Sequence, residues 1–209
     1  MLCTLASFAL SGVVAGSASA AADVWTVAGA EVKGGETFAI QSEATGQVAW
    51  KFGWNTLGVQ CKKLTINGGL LKAAGEQSAT SVTFEECVVT SPAKECEVEG
   101  GKVMTSAIVA KLETSGARHL LKITPVGGTF ATFKFVGAGC GSVKGSHSVK
   151  GKVTCEGGET DAELETEALK HKLLCNVTTA SGELLWGEES ASLSGEVGLK
   201  LASGASWSM

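Results

Sequence analysis

The clearest pattern in the chain is a two-residue alternation over residues 143–155. Odd-numbered positions carry apolar or small residues and one histidine, His147, whereas even-numbered positions carry only Lys, Ser and Thr. Successive side chains on a β-strand point to opposite faces, so the pattern predicts a long strand with one face on a core and one in water. Such a strand is typical of an antiparallel sheet. Gly145 and Gly151 mark points where this strand can twist or bend.

Two further segments, 47–55 and 192–201, show the same alternation. In the first, Trp50, Phe52 and Trp54 share one face together with Val48. In the second, apolar residues and a glycine alternate with Ser, Glu and Lys. Each segment therefore predicts another half-buried strand.

The whole chain predicts about twelve short strands separated by Gly-rich turns. We expect an all-β fold, an antiparallel β-sandwich or a distorted barrel, with at most one short helix. That helix would begin at the capping-box pattern of residues 160–163. Asn67-Gly68 predicts a two-residue hairpin turn, because both positions tolerate positive φ, with Leu70-Leu71 returning along residues 64–66.

Residues 1–22 carry no charge, are rich in Leu, Ala and Val, and end in a run of small residues. This composition predicts an export signal peptide cleaved after Ala20 or Ala22, although no basic residue precedes the apolar run. A buried N-terminal strand or helix is the alternative. Export would leave a single β-rich domain over residues 23–209, without a membrane-spanning segment, and a secreted location.

Six cysteines follow the leader, an even count that in an exported chain predicts three disulfides. No pair has the C-x-x-C spacing of a zinc site, so we expect no metal. The six residues are Cys61, Cys87, Cys96, Cys140, Cys155 and Cys175.

Sequence order suggests one set of pairs among the fifteen that are available. Cys87 and Cys96 flank a short segment and look like the clip of a hairpin. Cys155 with Cys175 would be the next local pair, which leaves Cys61 for Cys140. Alternation in 82–88 would place Val82, Phe84 and Val88 on one face and Cys87 on the other, at the rim of the domain.

Charge removes one class of function. The net charge is −4, with 17 basic and 21 acidic residues, and Arg118 is the only arginine. Nucleic-acid-binding proteins usually show a basic surplus and arginines for phosphate and base contacts. We therefore expect no nucleic-acid partner.

Several short motifs, spread over most of the mature chain, are shared with one group of proteins. They are Trp25-x-Val27-x-Gly29, Cys61 followed by Gly68-Gly69, Thr83-Phe84-x-x-Cys87 leading to Cys96, Pro125-x-Gly127 with Phe130-x-x-Phe133, and Ser203-Gly204-x-x-Trp207. In these motifs the chain resembles uncharacterised exported, six-cysteine, β-rich proteins of high-GC Gram-positive bacteria. The resemblance implies secretion and a β-rich fold, and it implies no activity.

Candidate catalytic groups are sparse. The chain has no Gly-x-Ser-x-Gly motif, and Asp23 and Asp161 are its only aspartates, so a Ser-His-Asp triad is poorly supplied. His147 lies on an apolar face, where a histidine bonded to a backbone carbonyl is expected more often than a catalyst. His119 and His171 lie among basic residues and are expected in solvent. The glutamates are numerous enough to hide a hydrolase pair, which the sequence does not locate.

Trp50, Phe52 and Trp54 are the candidate ligand-binding residues, because exposed aromatic side chains on a sheet can stack on sugar rings. The alternative places them in the core of a domain that has few other aromatics. The sequence therefore favours a non-catalytic exported β-domain, structural or binding a glycan or protein partner at the cell surface, without a cofactor. A carbohydrate-binding module and a secreted hydrolase with an unidentified Glu pair are the alternatives.

Overall fold

A computed structural model of the chain describes residues 23–43, 46–53, 57–91, 95–115, 118–157, 170–177 and 183–208. Most of these residues lie in strands, and 3₁₀ turns occupy Glu99–Gly101 and Ala138–Val143. The strands are β1 (Thr26–Val27), β2 (Ala30–Glu31), β3 (Thr37–Glu43), β4 (Val48–Phe52), β5 (Leu57–Cys61), β6 (Lys63–Asn67), β7 (Gly69–Lys72), β8 (Glu76–Ala79), β9 (Ser81–Glu85), β10 (Val88–Ser91), β11 (Glu97–Val98), β12 (Lys102–Thr105), β13 (Ile108–Ser115), β14 (Arg118–Pro125), β15 (Thr129–Val136), β16 (Gly145–Gly151), β17 (Val153–Gly157), β18 (Lys170–Val177), β19 (Leu184–Trp186), β20 (Glu189–Leu201) and β21 (Trp207–Ser208).

Eight of these strands close into an antiparallel barrel, which we call the barrel. Its pairings run from β3 through β7, β8, β13, β14, β17, β18 and β20 and return to β3. Closure leaves no unpaired sheet edge around this circuit. The all-β antiparallel class predicted from the sequence is confirmed, in its barrel form. The expected helix at 160–163 lies outside the described residues.

The extra strands extend the wall beyond one end of the barrel, and we call them the aromatic ring. Their pairings run from the first half of β20 through β4 and β5 to β10. They continue from β9 through β12 and β11 to β15, β16 and β19, and so back to β20. Since β9 and β10 are consecutive parts of one bent segment, this circuit also returns to its start. One buried apolar cluster extends through both parts.

The predicted strand at 143–155 passes from one part to the other. β16 lies in the aromatic ring and β17 in the barrel, with Val149, Val153 and Cys155 buried and the intervening lysines exposed. The predicted alternation is therefore confirmed. Gly151 stands at the junction with a φ of 108°, and a Cβ there would lie 1.9 Å from the carbonyl oxygen of Glu183. The bend expected at this glycine is confirmed, and only glycine fits it.

The hairpin turn predicted at Asn67-Gly68 was wrong. β6 pairs with β9 and β7 with β8 in one continuous register, so the chain reverses at residues 73–75. Ala74 and Gly75 supply the positive φ values there, 56° and 69°. Gly68, with a φ of 58°, instead bends the strand from the aromatic ring into the barrel. Positive φ at Gly68 was predicted correctly, but it serves a corner and not a reversal.

All six predicted cysteines form three disulfides, Cys61–Cys87, Cys96–Cys140 and Cys155–Cys175. The last pair agrees with the local guess, since these residues face each other across β17 and β18. The guessed pairs Cys87–Cys96 and Cys61–Cys140 were wrong.

The cause of that error is a break in alternation at Glu86, which has a φ of 53°. Beyond it the inward and outward positions exchange, so Cys87 is buried while Val88 is 53% exposed. The expectation that Val88 shares a face with Phe84, and that Cys87 lies at the rim, was therefore wrong. Facing inward, Cys87 meets Cys61 at the end of β5, the strand with which β10 pairs.

The two ends of the described chain form a small sheet of β2, β1 and β21 that covers one end of the barrel. Trp25 and Trp207 are fully buried beneath it, with ring centroids 5.7 Å apart. The indole Nε1 of Trp25 donates to the Glu76 carbonyl at 3.0 Å. His171 Nε2 lies 2.6 Å from the Trp207 carbonyl oxygen. The expectation that His171 is solvated was wrong, because this terminal cap buries it.

Candidate functional site: an apolar cavity in the barrel

Two of the three predicted ligand-binding aromatics lie in the core. Trp50 is 0% and Phe52 1% exposed, because both occupy inward positions of β4. Trp50 meets the edges of Phe84 and Phe133 at centroid distances of 5.4 and 5.2 Å, and Phe52 meets Phe133 at 4.8 Å. These edge-to-face contacts are typical of aromatic packing inside proteins. The arrangement favours the core interpretation, and a sugar in solvent has no access to either ring. Trp54 lies outside the described residues.

The histidines do not assemble a catalytic group. His147 is half-buried, and its Nε2 lies 2.9 Å from the Val143 carbonyl oxygen, as expected for a structural histidine bonded to backbone. Its ring also meets Trp186 edge-on at 5.1 Å. Where the structure describes the chain, no cluster of three or more His, Cys, Asp or Glu side chains is suited to a metal ion.

The titratable groups with shifted pKa values lie on the surface. A side-chain hydrogen bond to Glu86 raises the pKa of Lys63, and the same hydrogen bond lowers the pKa of Glu86. Both side chains are about half exposed. This ion pair links β6 to the bend after β9 and has no cleft beside it that could make it chemically active.

The feature that the structure adds is a cavity of about 90 Å³ inside the barrel. Its wall is almost wholly aliphatic, with inward side chains from every barrel strand except β7 and some from the aromatic ring. These residues include Ile40, Ala79, Ile108, Ala110, Leu121, Ile123, Val153, Leu173 and Leu199. Glu196 is the only ionisable residue among those that line it, and its carboxylate is paired with Lys172 at 3.2 Å.

Two buried polar side chains face this cavity. The hydroxyl of Thr105 is occupied, since it accepts a hydrogen bond from the Val82 backbone N–H at 2.8 Å. The amide Nε2 of Gln77 has no hydrogen-bond partner among the described residues, although Gln77 is only 6% exposed. A buried donor without a partner carries a desolvation cost of about 1–3 kcal/mol.

Sequence reasoning missed this cavity because its signal is weak. β8 reads Glu-Gln-Ser-Ala, and its inward positions are Gln77 and Ala79. Neither position is an apolar residue large enough to stand out in an alternation pattern. A search for strands whose inward residues are small or polar could have found it, since Ala110 repeats the feature on the neighbouring β13.

The comparisons with known proteins bring no relative: no protein-family model, curated protein or solved structure matches the chain. The resemblance to exported six-cysteine proteins therefore stays a prediction. Within the described ranges, no helix has the length and apolar content needed to cross a membrane.

Proposed function

We propose that this protein is an exported, non-catalytic β-domain that acts outside the cytoplasm as a structural or partner-binding module. The observation that carries the proposal is the set of three disulfides, in which five of the six cysteines are fully buried. Three disulfides indicate an oxidising compartment, because thiols in the cytosol are kept reduced. Residues 1–22 have the composition of an export signal, and this supports secretion.

The position of the aromatic side chains supports a module without catalysis. The residues that the sequence offered for sugar binding contribute instead to the packing of the aromatic ring. Burial of a large apolar side chain contributes about 2–3 kcal/mol to folding, so these residues have a sufficient structural role. The carbohydrate-binding and hydrolase alternatives have no specific observation in their favour.

Export is tested by producing the full chain in a Gram-positive host and examining the culture medium. We expect a secreted protein whose N-terminus is Ala21 or Asp23 and which, denatured without reductant, contains no titratable thiol. A variant that begins at Asp23 is the matched control and should stay inside the cell. Retention of the full chain in the cell would contradict export, and two or more free thiols would contradict the disulfide framework.

Glycan binding is tested by tryptophan fluorescence during titration with a panel of polysaccharides. Because Trp50 and its neighbours are buried, we expect blue-shifted emission that no polysaccharide changes. A saturable change with one polysaccharide would replace the structural role with carbohydrate binding. Activity against glycosidic substrates in the same panel, lost on heating, would instead revive the hydrolase alternative.

A further inference from the structure

We propose that the barrel cavity is a binding site for a small, neutral, mostly apolar molecule that presents one hydrogen-bond acceptor to Gln77. The inference goes beyond the proposed function and holds wherever the protein resides. It rests on the volume of the cavity, the chemistry of its wall and the unpartnered amide of Gln77.

Volume limits the size of the ligand. The cavity measures about 90 Å³, whereas a cavity of about 150 Å³ lined by Leu, Ile and Phe takes up benzene. A molecule of about four to six non-hydrogen atoms is therefore the largest that fits without rearrangement of the wall. Larger lipids and sugars are excluded from the closed barrel.

The wall decides the polarity of the ligand. Aliphatic side chains surround the cavity, and the one carboxylate on its lining, that of Glu196, is already paired with Lys172. A charged ligand would lose its hydration without gaining a counter-ion, which is strongly unfavourable. A polar ligand with several donors would leave most of them unsatisfied. The ligand is therefore neutral and largely hydrocarbon.

Gln77 supplies the one specific contact. Its side chain is inward on β8, a strand paired on both sides, with β7 through Leu71 and with β13 through Ala110. The backbone therefore fixes where the amide group lies, and its 6% exposure excludes bulk water. A carbonyl or ether oxygen of a ligand would accept the hydrogen bond that Nε2 does not make within the described structure. Thr105 does not compete for this oxygen through its lone pair, which the Val82 N–H occupies.

The test compares cyclopentanone with methylenecyclopentane, which has nearly the same shape but no acceptor. Both are titrated into the disulfide-intact full chain, and the ¹³C-methyl NMR signals of Ile and Leu are followed. We expect saturable shifts at cavity residues such as Leu121 and Leu173, with the ketone bound about three- to tenfold more tightly, the effect of one neutral hydrogen bond. Absence of saturable shifts with both compounds, or equal affinities, would overturn the proposal.

Two variants then assign the preference to one side chain. Gln77→Met keeps the side-chain length and removes the donor, so it should still bind methylenecyclopentane but lose the preference for the ketone. Gln41→Met is the matched control, since Gln41 is exposed on the outer face of β3 in the same barrel, and it should keep the preference. A preference that survives in Gln77→Met would overturn the role of Gln77. If Gln77→Met does not fold, the comparison of the two compounds in the unmodified protein decides alone.

Discussion

The aromatic ring and the barrel share β20 and one apolar core, yet their interiors are filled differently. Inside the ring, Trp50, Phe52, Phe133 and Phe135 are fully buried and pack edge to face or stacked. Inside the barrel, aliphatic residues and alanines leave a void of about 90 Å³. An eight-stranded barrel is just wide enough to be filled by side chains or to hold one small ligand. The size of the inward residues, and not the strand layout, decides which of the two results.

The disulfides differ between the two parts in the same sense. Cys61–Cys87 and Cys96–Cys140 both lie in the aromatic ring, whereas Cys155–Cys175 alone lies in the barrel. The ring is thus held by dense packing and two crosslinks, while the barrel has looser packing and one. This comparison suggests that the ring is the stable part of the fold and the barrel the adaptable part.

The largest expected effect comes from truncating the centre of the ring. Trp50→Ala should lower the free energy of unfolding by about 3–5 kcal/mol, because a fully packed indole is replaced by a cavity. Leu173→Ala in the barrel should cost only about 2–3 kcal/mol, since Leu173 already borders a void. Urea denaturation of both variants checks the comparison. Equal losses would show that the two interiors are packed equally well.

Removal of the disulfides should follow the length of the loops that they close. Replacing Cys96 and Cys140 by Ala opens a sequence separation of 44 residues and should cost about 4 kcal/mol on the chain-entropy estimate. The same change at Cys155 and Cys175 opens a separation of 20 and should cost about 3.3 kcal/mol. Denaturation midpoints of the two double variants measure the difference. A larger loss for the barrel pair would mean that the barrel depends on its crosslink more than the ring does.

Added volume should have opposite signs in the two parts. Ala110→Val places two more methyl groups beside the cavity and should stabilise the protein by about 1 kcal/mol. Ala131→Val adds the same volume to the ring, where Ala131 is fully buried, and should destabilise it by about 1–3 kcal/mol. Thermal denaturation of the two variants distinguishes these outcomes. Destabilisation by both would indicate that the barrel wall has no room for a ligand.

The smallest effect is expected at the surface ion pairs. The pKa of Glu86 is lowered by its hydrogen bond to Lys63, so the contribution of Glu86 is present above its unfolded-state pKa and is lost on acidification. The raised pKa of Lys63 acts in the opposite sense, with loss at alkaline pH. Because both groups are solvated, Glu86→Gln should not change the denaturation midpoint measurably at neutral pH. Glu113→Gln, which breaks the pair with Lys122 on the barrel, is the matched comparison. A clear loss at only one site would reveal a surface difference between the two parts.

The alternation pattern predicted the fold class because sheet burial repeats every two residues, as at Val149, Val153 and Cys155. It failed where one residue with positive φ exchanges the two faces. Glu86 did this before Cys87, and Gly68 did it between two strands that continue one another. Glutamate is not a residue from which positive φ is expected, so the correct disulfide partner of Cys87 was not readable from the sequence.

The candidate site was less predictable than the fold. A cavity is a property of residues that meet across the barrel, and Gln77 is distant in sequence from most of the residues around it. Its environment follows from closure of the eight strands, which sequence periodicity does not specify. The aromatic side chains, in contrast, were identified correctly as belonging either to a core or to a surface, and burial decided between these two.

The terminal cap also has a mechanical consequence. β1 and β21 are antiparallel, with Thr26 opposite Ser208 and Val27 opposite Trp207, so the two chain ends leave the domain side by side. Tension applied between them would separate the strands from that edge and load their hydrogen bonds one after another, which offers little resistance to force. Trp207 would leave first, while the parts held by the disulfides stay folded. A pulling force transmitted through the termini would thus open the covered end of the barrel before it unfolds anything else.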